Sequence, residues 1–575
     1  MTAHSFKIIL FLLCQSITVL LCVESGEALN SRLLSTLVVE STLLGILLFW
    51  LPKKLSSALR LVFSVVLYLL ALTDLYCQEV FEATLSPHIL AMILQTDSAE
   101  VADFFSAYAF TFLKLGLFHI LLLIIVLHVM GVLMADWLTR RWNVKLSRQQ
   151  RIIAVSIWAV FVIVCIPLAF SVKYDFHTLV SQPTMSDMEG VIFRTHGEAA
   201  NTPLWRLLYA LRGSQLARCD IERQKETAQH VVIDSCLFRS PTIVLVIGES
   251  YNRHHSQLYG YPLATTPRQV ELRDSGQLYV FTDVVTTWNI TSNAFTQMFS
   301  LYSYGTKGQW GDYPLFPHLF RRAGYQVLFL SNQYVQRSLS SGNETGGFFL
   351  NDHEVCDSLF DIRNYRKYPF DALFFNRCQR EMAMASDTSL TILHLHGQHF
   401  EYAQRFPSDA KYFTKHDYQQ RSLTNEQRQI VADYDNATRY NDEVIAQVLQ
   451  CYADRSAIVI YLSDHGEECY DDLMVHGRLY QDLDKRQVRQ EFEIPFWIWC
   501  SPRYQQEHPD VVQRIQNAVH RPFMTDHLPH ILLWLAGISC PYYEEQHNLL
   551  SPSFDVNRPR MLEGTVDYDA LMYEK

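Results

Sequence analysis

Apolar residues dominate the first 172 positions and recur there in five long runs: Phe6–Val23, Leu33–Leu51, Leu61–Cys77, Phe110–Met134 and Ile152–Val172. Each run reaches or approaches the roughly 20 apolar residues that a helix needs to cross a bilayer. Beyond residue 240 the pattern changes. Short apolar runs of strand length, Ile243–Ile247, Gln326–Leu330, Thr391–Leu393, Ala457–Leu462 and Pro495–Trp499, alternate with stretches of helical periodicity such as Pro314–Ala323 and Gln427–Cys451. Continuous apolar strands between helices predict a parallel sheet covered on both faces. Three parts follow. Residues 1–172 form a five-helix transmembrane domain with an outer loop at 78–109. Residues 173–240 form a bridge, and residues 241–575 an outer α/β domain. The bridge contains LWRLLYALRGSQLARC, whose apolar spacing and arginines suit a helix lying on the membrane surface or packed on the outer domain.

Composition sharpens this division. Of the 575 residues 49% are hydrophobic and only 19% charged, a low charged fraction for a soluble protein. Lys53, Lys54 and Arg60 follow the second run, and Arg140, Arg141, Lys145, Arg148 and Arg151 follow the fourth. Basic loops stay in the cytoplasm, so five crossings place everything after Val172 on the far side. Lys7 before the first apolar run also suits a cleaved signal peptide, but no small-x-small site closes that run and four further spans follow. A formal net charge of -11 argues against general nucleic-acid binding. Beyond the spans lie Cys219, Cys236, Cys356, Cys378, Cys451, Cys469, Cys500 and Cys540. An even set in an exported domain predicts disulfides, paired by proximity as Cys219–Cys236 and Cys356–Cys378.

The candidate chemistry falls at the strand ends. Glu249 follows VLVIG, and Asp464 and His465 follow VIYLS. His394, His396 and His399 sit in LHLHGQH, and His476 in MVHGR. In parallel α/β sheets ligands bind at the carboxyl ends of the strands. Carboxylates and imidazoles converging at that edge suit a metal ion, and two carboxylates with one imidazole leave a position for a further ligand. Each fragment alone is weak, because a histidine beside a glycine is more often structural; the order along the chain is what carries the metal site.

Taken together, VIGES…LYGYPLATTP (246–267), VVTTWNIT (284–291), FLSNQ (329–333), HLHGQHFEYAQRFP (394–407), YDNATRYND (434–442) and SDHGEE (463–468) resemble the membrane-bound phosphoethanolamine transferases of Gram-negative inner membranes. These belong to the alkaline phosphatase/sulfatase superfamily, and the likeness extends over nearly the whole chain, five spans included. The resemblance implies that Thr291 is the nucleophile. From the residues alone, Thr286, Thr287, Ser292 and Thr296 remain alternatives. It implies Glu249, Thr291, Asp464 and His465 as ligands of one tightly bound zinc ion, with a second zinc as an option. It places His399 and His476 beside the substrate phosphate or that second zinc, as acid and base, and Glu467 behind the first ligands or on the second metal. In the outer loop LQTDSAEVADFF, Thr96 and Glu100 match a donor-binding pattern whose third position is Met92 here, and Arg337 stands near the place of a family lysine.

The resemblance further implies a ping-pong transfer. Thr291 takes phosphoethanolamine from phosphatidylethanolamine and passes it to lipopolysaccharide, on lipid A or a core sugar. The enzyme is then a monomer embedded in the bacterial inner membrane, with its catalytic domain in the periplasm. A cationic cap on an anionic acceptor weakens attraction for cationic peptides, hence polymyxin resistance as an implication. The rivals are a glycerol-phosphate transferase of the lipoteichoic acid synthase type, a phosphodiester hydrolase, and a non-catalytic membrane scaffold. No Cys/Ser-x-Pro-x-Arg sulfatase signature occurs in the chain.

Overall fold

Among the described residues, five helices of the N-terminal part are long and apolar enough to cross a membrane: α1 (Ala3–Leu21), α2 (Ser31–Trp50), α3 (Lys53–Phe81), α4 (Gly116–Leu133) and α5 (Arg148–Val180). The computed structural model describes residues 2–23, 30–81, 84–87, 89–90, 116–141, 147–195, 197–334, 348–479 and 483–573. The chain divides into one unit of Met1–Cys219 with Ser340–Gly347 and another of Asp220–Leu339 with Phe348–Lys575. In the first unit Thr2, Asn30 and Ser147 start α1, α2 and α5 by accepting backbone N–H groups of the opening turn, which would otherwise lack partners. Leu43, Leu47, Leu61, Leu69, Leu122 and Phe170 all lie exposed, an outward apolar surface of the kind that lipid solvates.

A further helix, α6 (Pro203–Gln229), carries the bridge sequence. Its Ala210, Leu216 and Ala217 are buried within the first unit, while Leu204, Leu208 and Leu211 form an exposed stripe at helical spacing. Arg206 ties it to α3 through Asp74 at 3.2 Å and donates to the Cys22 carbonyl at 3.0 Å. Both charges are buried, so each depends on the other.

The second unit is built on seven strands: β1 (Thr242–Gly248), β2 (Leu278–Phe281), β3 (Gln326–Ser331), β4 (Ile362–Arg363), β5 (Ser389–His394), β6 (Ala457–Ser463) and β7 (Phe496–Cys500). Their order is β2-β7-β6-β1-β5-β3-β4. Every residue of β1, β5 and β6 is buried, which explains their unbroken apolar runs. From β6 to β4 the strands are parallel. The expected parallel sheet holds over these strands, and β7 departs from it, running antiparallel to both β6 and β2. β6 ends at the carboxyl edge of the sheet, and the chain next joins the sheet beside it at β7. It re-enters from that edge, and no crossover carries it back to the other end. An apolar run does not encode direction.

The disulfide expectation is also corrected, since all twelve cysteines are free thiols. Cys356 donates to the carbonyls of Phe349 and Leu350, and Cys378 is buried among Phe374, Phe375 and Met382. Cys236 donates to the Ala536 carbonyl, and Cys219 is exposed. The two buried thiols of the expected pair serve as small hydrophobic groups.

Candidate metal centre

Three adjacent parallel strands end level. Gly248 is in register with Ser463, and Ile247 with both Leu462 and His394. The next residues are therefore Glu249 from β1, Asp464 and His465 from β6, and the loop after His394 from β5. Backbone bonds continue past the strand ends: Asp464 N–H donates to Gly248 O at 3.1 Å, and Gln398 N–H to Glu249 O at 3.0 Å. Gly397 lies so close that a β-carbon would meet Glu249 O at 2.8 Å, and its φ of 51° favours glycine independently. At Gly466 an added β-carbon would stand 2.2 Å from Gln490 O. These two approaches are what the glycines of HGQH and DHGE serve.

Glu249, Asp464 and His465 are fully buried, and one ligand atom from each lies within 4.8 Å of the others. His465 Nε2 is 3.3 Å from Glu249 Oε1 and 3.2 Å from Asp464 Oδ2. His465 Nδ1 is 2.7 Å from Gly466 O, to which it donates, so Nε2 of a neutral ring has only a lone pair to offer two carboxylates. Asp464 Oδ2 is buried and accepts no hydrogen bond. Burial first, and then the charge of Glu249, push Asp464 up to about 7. Burial also pushes Glu249 up, but without a metal ion a protonated His465 that hydrogen-bonds it, with the charges of His399 and Arg478, outweighs burial and holds Glu249 well below the usual carboxylate range. Two acids and a lone pair facing one point, with an orphaned oxygen among them, fit a bound cation. Oxygen and imidazole donors with the second ring nitrogen tied to a carbonyl fit zinc.

Thr291 is the first residue of helix α7 (Thr291–Phe299), which has no side-chain N-cap. Its Oγ1 lies 3.2 Å from His465 Nε2 and 3.4 Å from Glu249 Oε2. Thr291 thus sets the N-terminal, positive end of this helix beside Glu249 and His465. Of the other hydroxyls, Thr286 donates to Asp464 O at 2.6 Å and Thr296 to Ser292 O at 2.8 Å. Thr291 has both an imidazole and a carboxylate in reach.

His399 feels the charges of Glu249, Arg478, Arg405 and His465, and burial above all lowers its pKa. His476 pairs with Cys469 in a two-residue ladder, and its Nδ1 shares a hydrogen bond with Tyr470 Oη at 2.8 Å. Glu467 is buried, accepts from Tyr402 Oη at 2.7 Å, and is pushed up by burial. Thr96, Glu100 and Arg337 lie outside the described residues.

Two contributors escape a reading of the sequence. Gln333 donates to Glu249 Oε2 at 2.9 Å and also contacts His394 Nε2 at 3.1 Å, which explains the burial of that histidine at the strand end. Arg478 Nη1 stands 3.1 Å from His465 Nε2. The only signals were the last residue of FLSNQ and the arginine of VHGR.

The sulfatase family model matches residues 241–538, just over half of the chain. Phosphoethanolamine transferase EptC of Escherichia coli strain RS218 is 25% identical over 547 residues, covering 93% of this chain and 90% of that protein. Phosphoethanolamine transferase CptA of Salmonella typhimurium is 27% identical over 58% of each chain. Among solved structures, the zinc complex of the E. coli EptC periplasmic domain is 28% identical with a TM-score of 0.51, covering 58% of this chain and 94% of that one. The integral membrane transferase EptA of Neisseria meningitidis shares the fold over 95% of this chain and 97% of its own, with a TM-score of 0.50 and 19% identity. Five apolar helices ahead of a unit like these periplasmic domains make this a multi-pass inner-membrane protein with its α/β unit in the periplasm.

Proposed function

The chain belongs to the sulfatase family, and on that premise we propose that it is a zinc-dependent phosphoethanolamine transferase working as a monomer. It moves the group from phosphatidylethanolamine to lipopolysaccharide, on lipid A or a core sugar, through a phosphoethanolamine-threonine intermediate. The observation that carries this reading is Thr291 Oγ1 at the start of α7, 3.2 Å from His465 Nε2 and 3.4 Å from Glu249. A threonine hydroxyl is a weak nucleophile that needs activation. Zinc held by Glu249, Asp464, His465 and Thr291 would supply the positive charge that favours the ionised hydroxyl.

The chain's own groups do the rest. Gln333 and Ser250 hold the Glu249 carboxylate, at 2.9 and 2.8 Å. The Gly466 carbonyl fixes the His465 ring. The N-terminus of α7 faces the phosphoryl group where charge builds in the transition state. In the first half-reaction the Oγ1–P bond forms and the bond from phosphorus to the diacylglycerol oxygen breaks. The threonine proton ends on that oxygen, with His399 or His476 as the acid. Burial lowers both imidazoles, and a bound phosphodiester pulls them back up. In the second half-reaction an acceptor hydroxyl or phosphate oxygen bonds to phosphorus, the Oγ1–P bond breaks, and the proton returns to Thr291. Thr96, Glu100, Arg337 and Glu467 complete the donor site in this reading.

The test is the intact mass of the full-length protein after incubation with phosphatidylethanolamine. The expected result is a gain of one phosphoethanolamine, absent in Thr291→Ala, with diacylglycerol released. Neither adduct nor diacylglycerol would overturn the donor and turn attention to phosphatidylglycerol.

A further inference from the structure

Arg478 is held more firmly than an arginine on a surface loop needs to be. The backbone beside it is pinned on both sides of Leu479: the N–H donates to Glu491 Oε1 at 2.8 Å, and the carbonyl accepts from Asn289 Nδ2 at 2.9 Å and Gln487 Nε2 at 2.6 Å. Asn289, Gln487 and Glu491 are all buried, and Asn289 lies two residues before Thr291. The side chain is only 20% exposed. Its Nη1 donates to Asn289 O at 3.3 Å and stands 3.1 Å from His465 Nε2. Its positive charge acts on Glu249, His465, Glu467 and His399. A guanidinium thus sits inside the charge centre, within reach of the same nitrogen that a metal ion would use.

That nitrogen has a single lone pair. Once a metal ion takes it, the Nη1 hydrogen that faces it needs another acceptor, and an oxygen of the phosphoryl group meets that need. Of the groups a second metal ion would use, Glu467 already faces this guanidinium. Glu467 Oε1 accepts from Tyr402, and Glu467 Oε2, buried without a hydrogen bond, has Arg478 Nε facing it at 3.8 Å. Among the described residues Glu249, Asp464 and His465 form the one three-residue group with metal-binding spacing. A guanidinium already fixed beside Glu467 repels a second divalent ion from that carboxylate.

We propose that Arg478 is the phosphate-binding cation of this centre and replaces a second metal ion, so that one zinc ion and one guanidinium share the phosphoryl charge. The proposal rests on the transferase reading above and fixes its metal count. A guanidinium binds two phosphate oxygens in its own plane, which a lysine ammonium cannot match.

The experiment uses the full-length zinc-loaded protein with Arg478→Ala and Arg478→Lys. Bound zinc is counted by mass spectrometry after dialysis, and inorganic phosphate binding is measured by calorimetry. The rate of adduct formation with phosphatidylethanolamine is followed in parallel. Expected are one zinc per chain in all three proteins, phosphate binding at least tenfold weaker in Arg478→Ala, and adduct formation slower by about 10²-fold, the usual cost of losing one donor to the transition state. Arg478→Lys recovers part of both. Two zinc ions in the parent, or parent-like phosphate affinity in Arg478→Ala, would overturn the proposal. Should the alanine variant fail to fold, the lysine variant and the parent's zinc count decide the same question. Absence of any adduct in the parent, with phosphate binding still dependent on Arg478, would sink the transferase reading and leave this one standing.

Discussion

Two clusters in the second unit are each built on two carboxylates and a histidine, yet they are opposite in character. His255 is fully buried between Asp435, 2.6 Å from its Nδ1, and Asp471, 2.8 Å from its Nε2. Tyr418 and Tyr261 add donors to Asp435, and Arg421 pairs with Asp471 at 3.0 Å. Both nitrogens of that ring face carboxylates, so the ring is cationic and every charge has a partner. At Glu249, Asp464 and His465 the ring spends one nitrogen on a carbonyl, and Asp464 Oδ2 is left without a hydrogen bond. The first cluster is complete as it stands, whereas the second is completed only by a cation. Two carboxylates and a histidine thus make a clamp or a metal centre depending on where the second ring nitrogen goes.

Opposite effects of one change, aspartate to asparagine, test this contrast most strongly. Asp464→Asn removes a metal ligand and several kcal/mol of transition-state stabilisation, so turnover falls by roughly 10³-fold. The same variant melts higher than the parent in the metal-free state, because an unpaired buried charge is gone. Asp435→Asn leaves the zinc content intact and destabilises the fold by about 3–5 kcal/mol, the cost of stranding a buried charge. Turnover, zinc content and metal-free melting of the two variants check all of this. A lower metal-free melting temperature in Asp464→Asn would erase the distinction.

The next effect is in pH. Burial opposes the charge on His255, but Asp471 and Asp435 outweigh it and push the pKa up from 6.5 to about 10. A pKa raised on folding stabilises the fold fully below pH 6.5, and the benefit is lost as pH rises through about 10. The parent should lose a few kcal/mol of stability between pH 7 and pH 10, and His255→Gln should start lower and stay flatter over that range. Parallel slopes in the two proteins would mean that His255 is not the cationic element of the clamp.

The two clusters also differ in how legible they were in the sequence. Glu249, Asp464 and His465 each follow directly on an apolar run, so strand length alone delivers them to one edge of the sheet. Thr291 was singled out by family likeness, because TTWNITSN offers several hydroxyls and only the fold shows which one faces the imidazole. His255 lies in NRHHSQ, a polar stretch with no periodicity, and its partners come from 180 and 216 residues further on. Gln333 and Arg478 were obscured for the same reason, since their partners are fixed by tertiary packing. The direction of β7 and the free thiols of Cys356 and Cys378 depend on which way a chain turns after a strand and which way a side chain points, and neither leaves a local pattern.

The smallest expected effect separates the clusters by what a single donor is worth in each. Asp435 Oδ2 accepts from both Tyr418 and Tyr261, at 2.5 and 2.9 Å. Tyr261→Phe leaves one phenol and the imidazole in place, so it costs about 1 kcal/mol of stability and no activity. Glu249 Oε1 accepts from Ser250 Oγ at 2.8 Å, and that bond orients an oxygen that a metal ion needs. Ser250→Ala should therefore weaken zinc binding by about 10-fold, the usual price of losing a bond behind a ligand, while metal-free stability moves by less than about 1 kcal/mol. Melting curves and zinc titrations on the two variants give four numbers. If Ser250→Ala destabilised the metal-free fold as Tyr261→Phe does and left zinc affinity unchanged, the Glu249 cluster would be a second clamp, and its orphaned oxygen would have to be explained without a metal ion.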